Sequence, residues 1–216
     1  MTAQQWAPFA TRRDGPSAKH GYPGFSEPSR KTGIVCHSME GSLAAALGEL
    51  DKPTRLASWT FSNPKVGPML QHYAVGQHTW ASGSLQANVL YTSCEHEGKA
   101  GEPLTENQIA NLVTLIEWLH EQHDWTAYDR RIQLWEHKEA AVFYGGGATA
   151  CPSDRIPWPE VMKRLKEGEA VTEAQMALLL AAIKESTQAS KDLLTFLKLA
   201  LKNLDDDHAR IEAKLT

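Results

Sequence analysis

Apolar positions along this chain recur with strand-like alternation in some stretches and helical spacing in others, and the changes of period mark its elements. Residues 33–36, GIVC, form a short apolar run bounded by glycine with β-branched residues at its centre. This predicts a buried strand ending on His37. Residues 38–41 turn the chain into 42–50, where Ala and Leu recur at helical spacing. After a break at Pro53, 57–62 and 69–75 read as two strands of a hairpin around the turn 63–67. The polar and aromatic segment 77–83 has the composition of a rim loop. The apolar run 87–94 reads as a further strand that delivers Glu95, His96 and Glu97 at its end.

A strong helix begins near Leu104. Thr105 is its cap, with Gln108 three residues on in a capping box, and Ile109, Leu112, Val113, Ile116 and Leu119 follow at helical spacing. His120 and His123, near its end, are expected to face solvent. Residues 132–135 predict a short strand presenting Glu136, His137, Lys138 and Glu139. The glycine-rich segment 144–150 then leads to Cys151 and to a helix over 160–166. Beyond it, 176–184 has a helical pattern. Leu197, Leu201, Leu204, His208, Ile211 and Leu215 make a short heptad-like seam, which reads as a helical hairpin, a cap or a self-association helix.

This layout divides the chain into an arm rich in Pro, Gly and charge (1–30), a body (31–168) and a C-terminal helical extension (169–216). With 216 residues and 42% apolar content, the body can form a sizeable core. A net charge of −4 gives no footprint for nucleic acid. No run reaches the roughly 18 apolar residues of a membrane helix. The N-terminus lacks the apolar core of a secretory leader, so synthesis in a cytoplasm and release by another route are expected. Three cysteines are too few for a disulfide framework. Cys36 and Cys94 sit in strand-like runs as core residues, whereas Cys151 lies in a loop and invites a chemical role.

His37, His137 and Cys151 form a two-histidine, one-thiolate set on separate strand ends or loops. Such donors suit Zn²⁺ with a fourth position left for water. Nine histidines allow many such triads, and spacing does not choose among them. Glu95 and its neighbours suit acid–base work, although a solvated loop has the same composition.

Several motifs then fall in one order: GIVCHSMEG at 33–41, ASWTF at 57–61, QHYAV at 71–75 and WASGS at 80–84 with Asn88. CEHEG at 94–98, HKE at 137–139 and TACPSDRIPW at 149–158 follow. From about Gly33 to Trp158 the chain resembles the type-2 N-acetylmuramoyl-L-alanine amidases, relatives of the peptidoglycan recognition proteins, and most closely the endolysin amidase domains of phages that infect actinobacteria. The resemblance implies an α/β fold with a central mixed sheet flanked by helices. It implies zinc held by His37, His137 and Cys151, with Glu95 as candidate general base. Thr149 stands two residues before the third ligand, where some members carry Lys and the recognition branch carries Thr; it would contact the substrate carbonyl or its oxyanion. Trp59, Tyr73, His78 and Trp80 would line a groove for sugar and peptide, or pack the core.

The implied substrate is peptidoglycan, cut at the amide between the lactyl group of N-acetylmuramic acid and L-alanine. Trp59 stands where some relatives use a catalytic Tyr. The family's W-H-A-G becomes Trp80-Ala-Ser-Gly83, with His78 as a stand-in for the lost His. The gap from His137 to Cys151 is longer than in many relatives. A peptidoglycan-binding module without hydrolysis, or a structural protein assembling through its C-terminal helices, are the competing readings.

Overall fold

The computed structural model describes residues 5–168. The chain divides into two compact units, 1–162 and 163–216, and the C-terminal extension and its heptad-like seam lie outside the described residues. The first unit holds a six-stranded sheet built from β1 (Thr11–Arg12), β2 (Gly33–Ser38), β3 (Phe61–Asn63), β4 (Leu70–Gln71), β5 (Tyr91–His96) and β6 (Leu134–Glu136). Their spatial order is β1-β4-β3-β5-β2-β6. The β3–β4 pair is antiparallel and the other pairs are parallel, giving the expected mixed sheet. Helices α1 (Leu43–Asp51), α2 (Leu85–Leu90), α3 (Glu106–His123) and α4 (His137–Phe143) complete an α/β fold.

All six residues of β2 are buried, as its continuous apolar run requires of a strand covered on both faces. Gly33 is fixed by close approach: a Cβ there would stand 2.1 Å from the Gln133 carbonyl oxygen. The same carbonyl accepts from the Ile34 N–H at 2.7 Å, which locks the end of β2 to the segment leading into β6. Cys36 and Cys94 lie opposite each other on β2 and β5 as fully buried thiols. α3 begins at the capping box expected of Thr105 and Gln108, and it buries Leu112, Leu115, Ile116 and Leu119.

Three expectations change. The run 87–94 is not one strand: Ser84 Oγ accepts from the Ala87 N–H, so the chain is helical to Leu90 before β5 begins at Tyr91. A short apolar run carries no period that separates the two states. His123 is buried rather than solvent-facing, and its Nδ1 accepts from the Lys31 N–H at 3.3 Å. The N-terminal arm is also less irregular than its composition suggests. It supplies edge strand β1, and Phe9 packs edge-on against Trp118.

His72 shows how polar groups are satisfied in this core. Its Nε2 meets Ser62 Oγ at 2.8 Å and its Nδ1 meets the Arg13 carbonyl at 2.8 Å, an arrangement for the neutral ring. Burial lowers its pKa from 6.5 to about 4. The unfolded chain therefore binds the extra proton first, and stability is lost as pH falls through that window. His72→Gln removes this titration. Urea unfolding at pH 7.5 and pH 5 should show wild type losing about 1–2 kcal/mol more than the variant on acidification. Equal losses would mean that His72 titrates as an exposed histidine.

Candidate metal centre

Strand register begins the assembly of the site. β2 sets His37 opposite Glu95 of β5, and Cys36 opposite Glu136 of β6. His137, the next residue, opens α4. The two imidazole centroids are 4.5 Å apart. The chain returns through 144–150 to Cys151, whose carbonyl accepts from the Lys138 N–H at 2.7 Å. The Cys151 N–H donates in turn to Thr149 Oγ1 at 3.1 Å. One donor atom each from His37, His137 and Cys151 lie within 4.8 Å of one another, and Cys151 Sγ is 3.9 Å from His37 Nδ1. Glu95 Oε1 is 3.9 Å from the same nitrogen.

These groups carry little charge as they stand. Burial pushes the Cys151 thiol up to about 12, reinforced by Glu95 and opposed by the Ser38 N–H, which donates to Sγ at 3.2 Å. Burial, then His137 and His96, hold His37 well below its ordinary pKa. Burial also lowers His137, against a hydrogen bond to the Ser82 backbone. Glu95 is raised to about 8, by burial first and by Glu40 next. His37 Nε2 and Glu95 Oε2 are buried without a hydrogen-bond partner among the described residues.

A bound cation would reverse these penalties by ionising the thiol and giving the orphaned atoms a counter-charge. On a tetrahedral site of zinc size, donors stand about 3.3–3.6 Å apart, slightly closer than here. The residues therefore fit a metal ion.

The supporting layer was not anticipated from sequence. The Ser82 backbone orients His137, as a partner on the outer ring nitrogen does in metal sites. Asn88 Oδ1 accepts from the Ala81 and Ser82 N–H groups at 3.2 and 2.8 Å, holding that loop in place. Arg155 is 4% exposed and donates to Ser38 Oγ and to the carbonyls of His96, Glu97 and Glu102. It ties the ends of β2 and β5 to the Cys151 loop. A Cβ at Gly98 would meet this guanidinium at 2.2 Å. The signal was the lone Arg in the apolar tail of TACPSDRIPW.

The proposed substrate residues fare unevenly. Trp59, Tyr73 and His78 are only 6%, 3% and 1% exposed, so they do not line an open groove. Trp59 and Tyr73 pack with Ala46 and Leu50, and Trp59 Nε1 donates to Ser62 Oγ at 2.8 Å. His78 Nε2 meets Ser29 Oγ at 2.7 Å, which occupies the ring expected to replace the missing His. The apolar bodies and hydrogen-bonded tips of Trp59 and Tyr73 favour burial. Trp80 borders an open cavity.

The profile of the N-acetylmuramoyl-L-alanine amidases matches residues 27–154, and the chain belongs to this family, a class of enzymes that act on peptidoglycan. Among solved structures it is similar to an endolysin amidase from Clostridium intestinale (17% identity, 75% of this chain, 98% of that one, TM-score 0.53). It is also similar to a mutant endolysin from Bacillus subtilis (19% identity, 72% and 97%, TM-score 0.55). A third is an AmpD derivative (13% identity, 76% and 98%, TM-score 0.59). At these identities the likeness concerns the fold. None of the curated proteins matches.

Arg155→Lys keeps a charge but cannot reach all four oxygens. Chemical unfolding should show a loss of about 2–4 kcal/mol, because buried carbonyls lose their donors. A loss within about 0.5 kcal/mol, the range of an ordinary surface substitution, would show that the guanidinium does not brace the site.

Proposed function

We propose that the chain is a zinc-dependent endolysin that hydrolyses the amide between N-acetylmuramic acid and L-alanine of peptidoglycan. The observation that supports this most is the convergence of His37, His137 and Cys151 within 4.8 Å, inside the segment matched by the family. The lytic role draws on the likeness to endolysin folds. His37, His137 and Cys151 would hold the zinc, which when bound acidifies water and polarises the scissile carbonyl.

The remaining work falls to this chain's own groups. Glu95 sits beside His37, its Oε1 3.9 Å from Nδ1, where its carboxylate can serve as the general base. It accepts a proton from the attacking water and passes it to the departing L-alanine amine, so that a carboxylic acid and a free amine are left. Thr149 Oγ1 accepts from the Cys151 N–H, which leaves its own hydroxyl hydrogen to donate to the oxyanion. Ser82 and Ser38 hold His137 and Cys151 in place while this occurs. The buried Trp59 stays a core residue and gives no proton.

Purified protein should carry about one zinc and release stem peptides with new amino termini from actinobacterial cell wall. Glu95→Gln should keep the metal and lose at least about a hundredfold in rate. Cys151→Ser should lose both metal and activity. Bound zinc without bond cleavage would leave a peptidoglycan-binding module. Absence of zinc from active protein would refute the metal assignment.

A further inference from the structure

We infer that residues 20–25 of the N-terminal arm build, with Trp80, a sugar subsite beside the loop whose Ser82 backbone bonds His137. These residues lie ahead of the segment matched by the family. The inference rests on the peptidoglycan reading and adds the wall that would grip the glycan strand.

Two cavities share Gly83, Ser84 and Leu85. One of about 450 Å³ is lined by Tyr22, Leu56 and Trp80, and one of about 560 Å³ by Phe25, Leu90 and Tyr144. Tyr22 and Trp80 pack together with their rings tilted by 54° and centroids 6.3 Å apart, and Phe25 is 45% exposed. Aromatic faces bordering an open cleft suit the apolar faces of pyranose rings, which also need fixed polar groups at their edges. Tyr22 supplies one. Asn88 Oδ1 is committed to the Ala81 and Ser82 N–H groups, so its Nδ2 donates to the Tyr22 hydroxyl at 2.6 Å. The hydroxyl hydrogen is thereby left to donate to a ligand.

Two backbone segments that border the cavities run on to the metal centre. The loop carrying Trp80 and Gly83 includes Ser82, whose backbone orients His137. Ser84 Oγ donates to the Tyr144 carbonyl at 2.9 Å, at the start of the segment that ends in Cys151. A sugar resting on Phe25 or on the Tyr22–Trp80 pair would thus lie beside the Ser82 loop that bonds His137 and the segment that ends in Cys151. A substrate of linked sugar and peptide needs that continuity.

The test titrates a disaccharide of N-acetylglucosamine and N-acetylmuramic acid, free of stem peptide, into the full chain. Wild type should saturate, and Phe25→Ala and Tyr22→Leu should each bind about tenfold more weakly. Phe25 is exposed enough that its truncation leaves the core intact. Cys151→Ser should bind the disaccharide as wild type does, and on a muramoyl-dipeptide the arm variants should raise KM more than they lower kcat. Failure of wild type to saturate, or equal binding by wild type and both arm variants, overturns the subsite. Binding that depends on Phe25 and Tyr22 in a protein that cuts no amide bond supports the subsite and removes the hydrolytic reading.

Discussion

The parallel pairing of β2 with β5 is the constraint on which the other features rest. Because the two strands run side by side in register from Gly33 and Tyr91, His37 emerges level with Glu95 on rigid, fully paired backbone. A one-residue slip of either strand would turn its side chain to the other face and part the pair. Gly33 secures the arrangement from the opposite end of β2, since only glycine allows the Gln133 carbonyl so close. β6 then brings His137 to the same rim, and the loop through Cys151 has only to close on a site two-thirds built.

That site is placed where charge is poorly tolerated. Two imidazoles, a thiol and a carboxyl share a largely buried rim, and each is pushed towards its neutral form. A bound cation would take the neutral imidazoles as donors and draw the thiol and the carboxyl into their anionic forms, which is the physical basis of the proposed zinc dependence. Arg155 brings a permanent positive charge, but its donors are taken up by carbonyls and by Ser38 Oγ. Its part is mechanical.

Much of this was legible in the sequence where a local signal had a single physical meaning. The capping box at Thr105 specified the start of α3, and the continuous apolar run before His37 specified a strand covered on both faces. The ligand set needed the family resemblance, because residue types alone left many triads open. Other features depended on distant partners. The run 87–94 gave no sign that Ser84 would cap a helix inside it. Trp59, Tyr73 and His78 were expected to line a groove, yet Ser62, Pro16 and Ser29 each take up one of their polar atoms below the surface. The arm's Pro, Gly and charged residues concealed both an edge strand and the aromatic contact of Tyr22 with Trp80.

X-ray absorption at the zinc edge of the zinc-loaded protein examines the proposed donor set itself. The first shell should contain one sulfur at about 2.3 Å and two imidazole nitrogens at about 2.0–2.1 Å, and Cys151→Ser should remove the sulfur. A shell of nitrogen and oxygen alone in wild type would contradict the assignment of His37, His137 and Cys151 as the metal ligands.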